Sequence, residues 1–155
     1  MFRPFLWIGT ILLLISFGCA LQEETTTPAG FQQIVTQAGK QVFPSVVYIR
    51  AVTDNLQWGR DQGDIVAGSG VLISPDGELL SNCHVVNKAQ SIRCLLNDGR
   101  AFSARLVGMD KDLDLALLKL NLPEGTPPLP YAEIEKNGLV SEGDFVMAMG
   151  APWGL

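Results

Sequence analysis

The chain has 155 residues, 47% hydrophobic and 17% charged, with 16 Gly, 9 Pro, 3 Cys and a single His. That length holds one small globular domain and little more, and a net charge of −5 gives no basic footprint for nucleic acid. One imidazole excludes any site built on two, and three cysteines cannot make a dense disulfide framework, so chemistry rests on few residues.

Arg3 and the terminal amine precede an apolar run over residues 5–21 that ends in the small residues Gly18, Cys19 and Ala20. Residues 1–21 therefore read as an export signal or signal anchor, and the run is short of the ~20 residues a spanning helix needs. Either way the chain is expected outside the cytosol, in the periplasm or cell envelope. The SFGC sequence at 16–19 partly matches a bacterial lipobox, which makes Cys19 a candidate lipidation residue. Phe17 and the missing Leu depart from that motif, and the plainer role of Cys19 is one more small apolar residue. Residues 22–30 are polar, end in Pro-Ala-Gly and carry no periodicity, which predicts a flexible tether.

Residues 31–155 form the candidate folded part. Phe31, Ile34, Val35, Ala38 and Val42 recur at helical spacing, predicting a short amphipathic helix over 31–43 that packs on a sheet. From Ser45 the period changes to two. Strands are expected over 45–52, 66–74, 78–82, 90–96, 100–108 and 143–150, with a strongly apolar stretch at 113–120 and a Pro-rich connector at 122–130. Residues 53–64 read as a polar loop, SPDG at 74–77 as a turn and NDG at 97–99 as a hairpin turn. Short strands spaced by turns predict an all-β fold, a small antiparallel barrel or sandwich with one N-terminal helix.

Asp114 lies inside the apolar run LDLALL, where an ionised carboxylate costs several kcal/mol unless it is paired. Neither strand face offers a partner locally. A structural role, capped by backbone N–H groups at a strand start, explains it; so does a catalytic one. His84, expected at the end of the 78–82 strand, is the only imidazole. A lone His is usually structural, but a His acting as general base needs a carboxylate on Nδ1 to fix its tautomer, and Asp114 is the one carboxylate that fits. Zinc on Cys83, His84 and Cys94 is disfavoured because adjacent strand residues face opposite ways, so no metal or cofactor is expected. Cys83 and Cys94 form a disulfide in an oxidising envelope or remain two buried thiols, the latter preferred.

GSGVLIS at 68–74, LSNCHVV at 80–86, LNDGR at 96–100, DLALLK at 114–119 and GAPWG at 150–154 resemble, in order, the first half of the trypsin-like serine proteases of the HtrA/Deg family. Each motif alone is unspecific; five in the same order are not. The resemblance spans residues 31–155 and implies a chymotrypsin/trypsin-like fold of two antiparallel barrels, of which this is the first. It implies His84 as general base, Asp114 as its orienting carboxylate, unfolded or misfolded envelope proteins as substrates, and a homo-trimer. It also exposes departures. The family's Gly-Asn-Ser-Gly-Gly nucleophile loop does not occur in the 155 residues, and none of Ser69, Ser74, Ser81, Ser91, Ser103 or Ser141 lies in such a loop. No nucleophile is assigned, and the C-terminal PDZ domain usual in the family is not seen. The expectation is the N-terminal portion of an exported serine endopeptidase, inactive as these 155 residues alone. The competing reading is a non-catalytic half-protease serving as a tethered binding or regulatory module, joined to a membrane only through the N-terminal signal or lipid.

Overall fold

The computed structural model describes residues 28–53, 56–57, 60–61 and 64–151. The signal, almost all of the tether, and Cys19 lie outside the described residues. Helix α1 (Pro28–Val42) leads through a 3-10 turn (Phe43–Ser45) into β1 (Val46–Thr53). Two short strands, β2 (Leu56–Gln57) and β3 (Arg60–Asp61), pair with each other, and β4 (Asp64–Leu72) follows. The chain continues through β5 (Glu78–Ser81), a one-turn helix α2 (Cys83–Val86), β6 (Ala89–Leu96), β7 (Ala101–Asp110) and β8 (Leu115–Leu120).

Six strands close into an antiparallel barrel in the order β1-β4-β5-β8-β7-β6, as β1 pairs with both β4 and β6. The fold is the all-β barrel that the period-two pattern predicts. Alternation fills its interior: Val47, Ile49 and Ala51 from β1, Ile92, Cys94 and Leu96 from β6, and Ala116, Leu118 and Leu120 from β8 are all buried. Val85 and Val86 of α2 join this core. Two glycines of β4 allow close approach. A Cβ on Gly68 would lie 2.5 Å from a Val85 methyl, and one on Gly70 would lie 2.9 Å from the Leu80 carbonyl oxygen. Gly68 thus lets α2, and with it His84, sit down on the barrel.

Four expectations are corrected. α1 does not pack on a sheet: Phe31 and Ile34 are exposed, and the Phe31 ring lies 5.2 Å from that of Phe145. The inward-facing apolar residues of β1, β6 and β8 are consumed inside the closed barrel rather than against the helix. Residues 143–150 are not a strand: they join no ladder of the barrel, and Phe145 is 89% exposed. The segment begins in a turn where the Ser141 N–H donates to Asp144 Oδ2 at 2.7 Å. His84 stands in a helical turn rather than at a strand end, since Asn82 leaves the β5 ladder and caps α2. The loop expected over 53–64 contains β2 and β3, and the flanking strands reach into both of its ends.

Cys83 and Cys94 are free and buried. Burial pushes the Cys94 thiol up to about 12, so it stays protonated and a poor nucleophile at neutral pH. Iodoacetamide is expected to modify Cys94 only at the rate of unfolding; rapid labelling of the native chain by peptide mass mapping would contradict this packing. Gly70→Ala is expected to destabilise the barrel by ~1–3 kcal/mol through overpacking against a backbone carbonyl. The urea midpoint measures it.

Candidate active site

Asp110 starts the local architecture. Its Oδ1 accepts the N–H groups of Asp112 at 2.9 Å and Leu113 at 3.0 Å, folding residues 111–114 into a turn before β8. Asp114 ends that turn at φ +50°, the left-handed region that Asp tolerates better than most residues. Its carboxylate is thereby swung out of the strand and toward the start of α2.

The two elements are then joined by five hydrogen bonds. The Cys83 N–H and the Asn82 side-chain amide both donate to the Asp114 carbonyl, each at 3.1 Å. Asn82 Nδ2 also reaches Asp114 Oδ2 at 3.2 Å, and the His84 N–H donates to Oδ1 at 2.9 Å. The fifth is the shortest: His84 Nδ1 lies 2.6 Å from Asp114 Oδ2. Asn82, although it caps α2, makes no side-chain bond to the helix and is spent on Asp114 instead.

The His84–Asp114 contact expected from the sequence is present, but the reason given for it needs correcting. Asp114 is not hidden among leucines. Its side chain is 45% exposed, that of His84 69%, and Leu113 is 74% exposed. The apolar run enters the core only from Ala116 onward, where alternate residues of β8 turn inward. Hydrogen bonding, rather than escape from a low-dielectric interior, accounts for the carboxylate's state. The His84 backbone N–H first, then the His84 ring and the Asn82 amide, hold the Asp114 carboxyl below its ordinary value. The backbone cap and the imidazole partner, set against each other as alternatives by the sequence, act on separate oxygens of the same group.

Asn82 and Asp110 were not singled out by sequence reasoning. The signal was an amide and a carboxylate at two and four residues' remove from the pair, which becomes informative only once the turn is seen. Four of the six serines named above engage other groups through their hydroxyls: Ser81 Oγ donates to the Ser69 carbonyl at 2.8 Å, Ser69 Oγ accepts from the Ala151 N–H at 2.8 Å, and Ser74 Oγ accepts from the Glu78 N–H at 3.1 Å. Ser103 Oγ accepts from Asn121 at 2.9 Å. Beside Asn82 an open groove of about 400 Å³ runs past Ser69, Gly70, Leu80 and Leu115. Among the described residues no three His, Cys, Asp or Glu side chains gather where a metal ion would sit. Cys83 Sγ lies 3.5 Å from Met109 Sδ.

A model of the trypsin-like peptidase domain matches residues 68–155. The chain belongs to that family. Its relatives place it in the HtrA/Deg branch. Serine endoprotease DegS of Escherichia coli K12 is 38% identical over 130 residues, covering 83% of this chain and 34% of DegS. The periplasmic pH-dependent serine endoprotease DegQ of the same strain is 44% identical over 89 residues, 57% of this chain and 19% of DegQ. The mitochondrial serine protease HTRA2 of Bos taurus is 31% identical over 156 residues, 95% of this chain and 33% of HTRA2. The chain thus spans about a third of the length of DegS and HTRA2.

A carboxylate at Oδ2 requires the neutral His84 ring to carry its proton on Nδ1, leaving Nε2 as acceptor. Since His84 is the only histidine, long-range ¹H–¹⁵N spectra of the neutral ring report one tautomer, expected as Nδ1–H in the native chain and as a mixture in Asp114→Asn. An Nε2–H ring in the native chain would refute the geometry. The lowered Asp114 value also sets a sign. The ionised carboxylate stabilises the fold above its ordinary 3.8, and this is lost as pH falls through the lowered value. Exposure keeps the effect small. Thermal melts from neutral to acid pH are expected to converge with those of Asp114→Asn only at the acid end.

Proposed function

We propose that His84 and Asp114 are the general base and orienting carboxylate of an HtrA-type serine endopeptidase. The observation that carries this reading is the 2.6 Å contact from Nδ1 to Oδ2, with the second carboxylate oxygen tied to the His84 backbone. With Nδ1 engaged, Nε2 is the free basic nitrogen on an exposed ring. It takes the proton of a serine hydroxyl as that oxygen attacks a peptide carbonyl, and returns it to the departing amine. Asp114 fixes the ring's tautomer and orientation and stabilises the imidazolium formed in the step.

The serine in this reading comes from outside the 155 residues. The hydroxyls of Ser69, Ser74, Ser81 and Ser103 are committed to other groups, and the family's nucleophile loop is absent from the sequence. The oxyanion donors that accompany that loop, each worth ~3 kcal/mol, are absent with it. Exported, unfolded or misfolded proteins of the cell envelope are the proposed substrates, in keeping with relatives named as periplasmic endoproteases. The apolar N-terminal run serves as export signal or tether, and Cys19 is its candidate lipid site. Trimer formation through the N-terminal helix belongs to the same proposal; the exposed Phe31 and Ile34 supply an apolar surface for it.

Two assays test the reading. The 155-residue chain alone is expected to show no peptide turnover above buffer and no labelling by a fluorophosphonate probe. A chimera in which residues 28–151 replace the matching third of DegS is expected to cleave peptides, with His84→Ala or Asp114→Asn lowering kcat by ~10⁴-fold or more. Unchanged kcat in either variant would refute the assigned roles.

A further inference from the structure

The charge of the barrel wall is distributed unevenly. The chain carries 16 acidic against 11 basic residues, yet β1, β6 and β7 up to Met109 contain no Asp or Glu and three arginines, Arg50, Arg93 and Arg105. These strands are neighbours in the barrel. The register sets Arg50 directly opposite Arg93, and Arg93 opposite Ser103, two residues before Arg105. All three arginines are exposed. Like charges directly opposite on antiparallel strands repel. Among the described residues none of the three makes an ion pair, whereas Arg100 pairs with Asp98 and Lys119 with Glu78.

The band leads into a concavity of about 350 Å³ lined by Lys88, Gln90, Ser91, Arg105 and Leu106. Lys88 adds a fourth cation there, without an ion pair among the described residues and held at φ +60° in the turn that enters β6. The concavity therefore combines two cations with an amide and a hydroxyl, the donor set that a phosphate group takes up. Next to it β7 exposes Leu106 and Val107, at the point where the register with β8 slips.

We propose that this face of the barrel, Arg50, Arg93, Arg105 and Lys88, docks on the phosphate headgroups of an anionic membrane. Cations flanked by exposed aliphatic side chains match the boundary between headgroups and acyl chains. Read as an export signal or anchor, the apolar run at residues 5–21 directs the same chain to a membrane. A dissolved polyanion is the poorer partner, because it offers no apolar layer to the exposed Leu106 and Val107 beside the cations. The proposal is independent of the proteolytic reading, since it uses neither His84 nor Asp114.

The test is co-sedimentation of the full chain with vesicles of phosphatidylcholine alone and of equal parts phosphatidylcholine and phosphatidylglycerol. Neutral vesicles record whatever the N-terminal run contributes. Added partition onto the anionic vesicles is expected to fall with salt, and to drop about fivefold for each arginine removed in the Arg50→Gln, Arg93→Gln, Arg105→Gln series. Lys136→Gln, exposed and outside the band, is expected to leave it unchanged. Circular dichroism checks the variants' fold, and should the triple variant misfold, the salt titration of the native chain still decides. Equal partition onto both vesicle types, partition indifferent to salt, or tighter binding of polyglutamate or an oligonucleotide than of anionic vesicles would overturn the proposal.

Discussion

The arrangement of this chain around its candidate site depends on one carboxylate shared between two tasks. Asp114 Oδ1 takes the backbone N–H of His84 and Oδ2 takes its ring, so the same group fastens the first turn of α2 and sets the face of its imidazole. Its two oxygens divide these tasks, one to the backbone and one to the ring. The left-handed backbone at 114 is part of the same constraint, since it turns the carboxylate away from β8 before that strand plunges into the core. Strain at the end of one turn thus yields order at the beginning of another.

The other end of α2 is fixed by packing. Val85 presses onto a strand position that has no side chain, and Val86 is buried beside it, so the one-turn helix is anchored from below by aliphatic contact and from its N-terminus by charge. His84 projects between these two anchors. A helix of four residues has almost no stability of its own; here tertiary contacts supply nearly all of it. Core packing and imidazole orientation are consequently linked, and substitutions at Gly68 reach the site without touching it.

Much of this is legible in the chain's sequence alone. Period-two alternation located the barrel strands, and turn residues at 74–77 and 97–99 marked real reversals, with Gly77 and Gly99 both at positive φ. The pairing of His84 with Asp114 followed from chemistry, because an isolated base and an unexplained carboxylate complete each other. What failed was inference from apolar composition alone. Leu113 and the stretch around Phe145 look like core residues, but whether an apolar side chain is covered depends on which surfaces the closed barrel leaves over. The amphipathic helix misled for the same reason: a moment says which face is apolar, not what will meet it. Asp114 was placed in a low-dielectric interior for want of one detail, the Asp110 turn, which no periodicity reveals.

Closure of the barrel has a consequence for what the domain can admit. Each of its six strands has a hydrogen-bonded neighbour on both sides for part of its length, but the ladders are uneven: β5 registers with only Gly70–Leu72 of β4, and β7 with only Ile92–Leu95 of β6. Ring closure thus shortens the stretches of strand edge left for edge-by-edge stacking, the contact that seeds fibrils, without abolishing them.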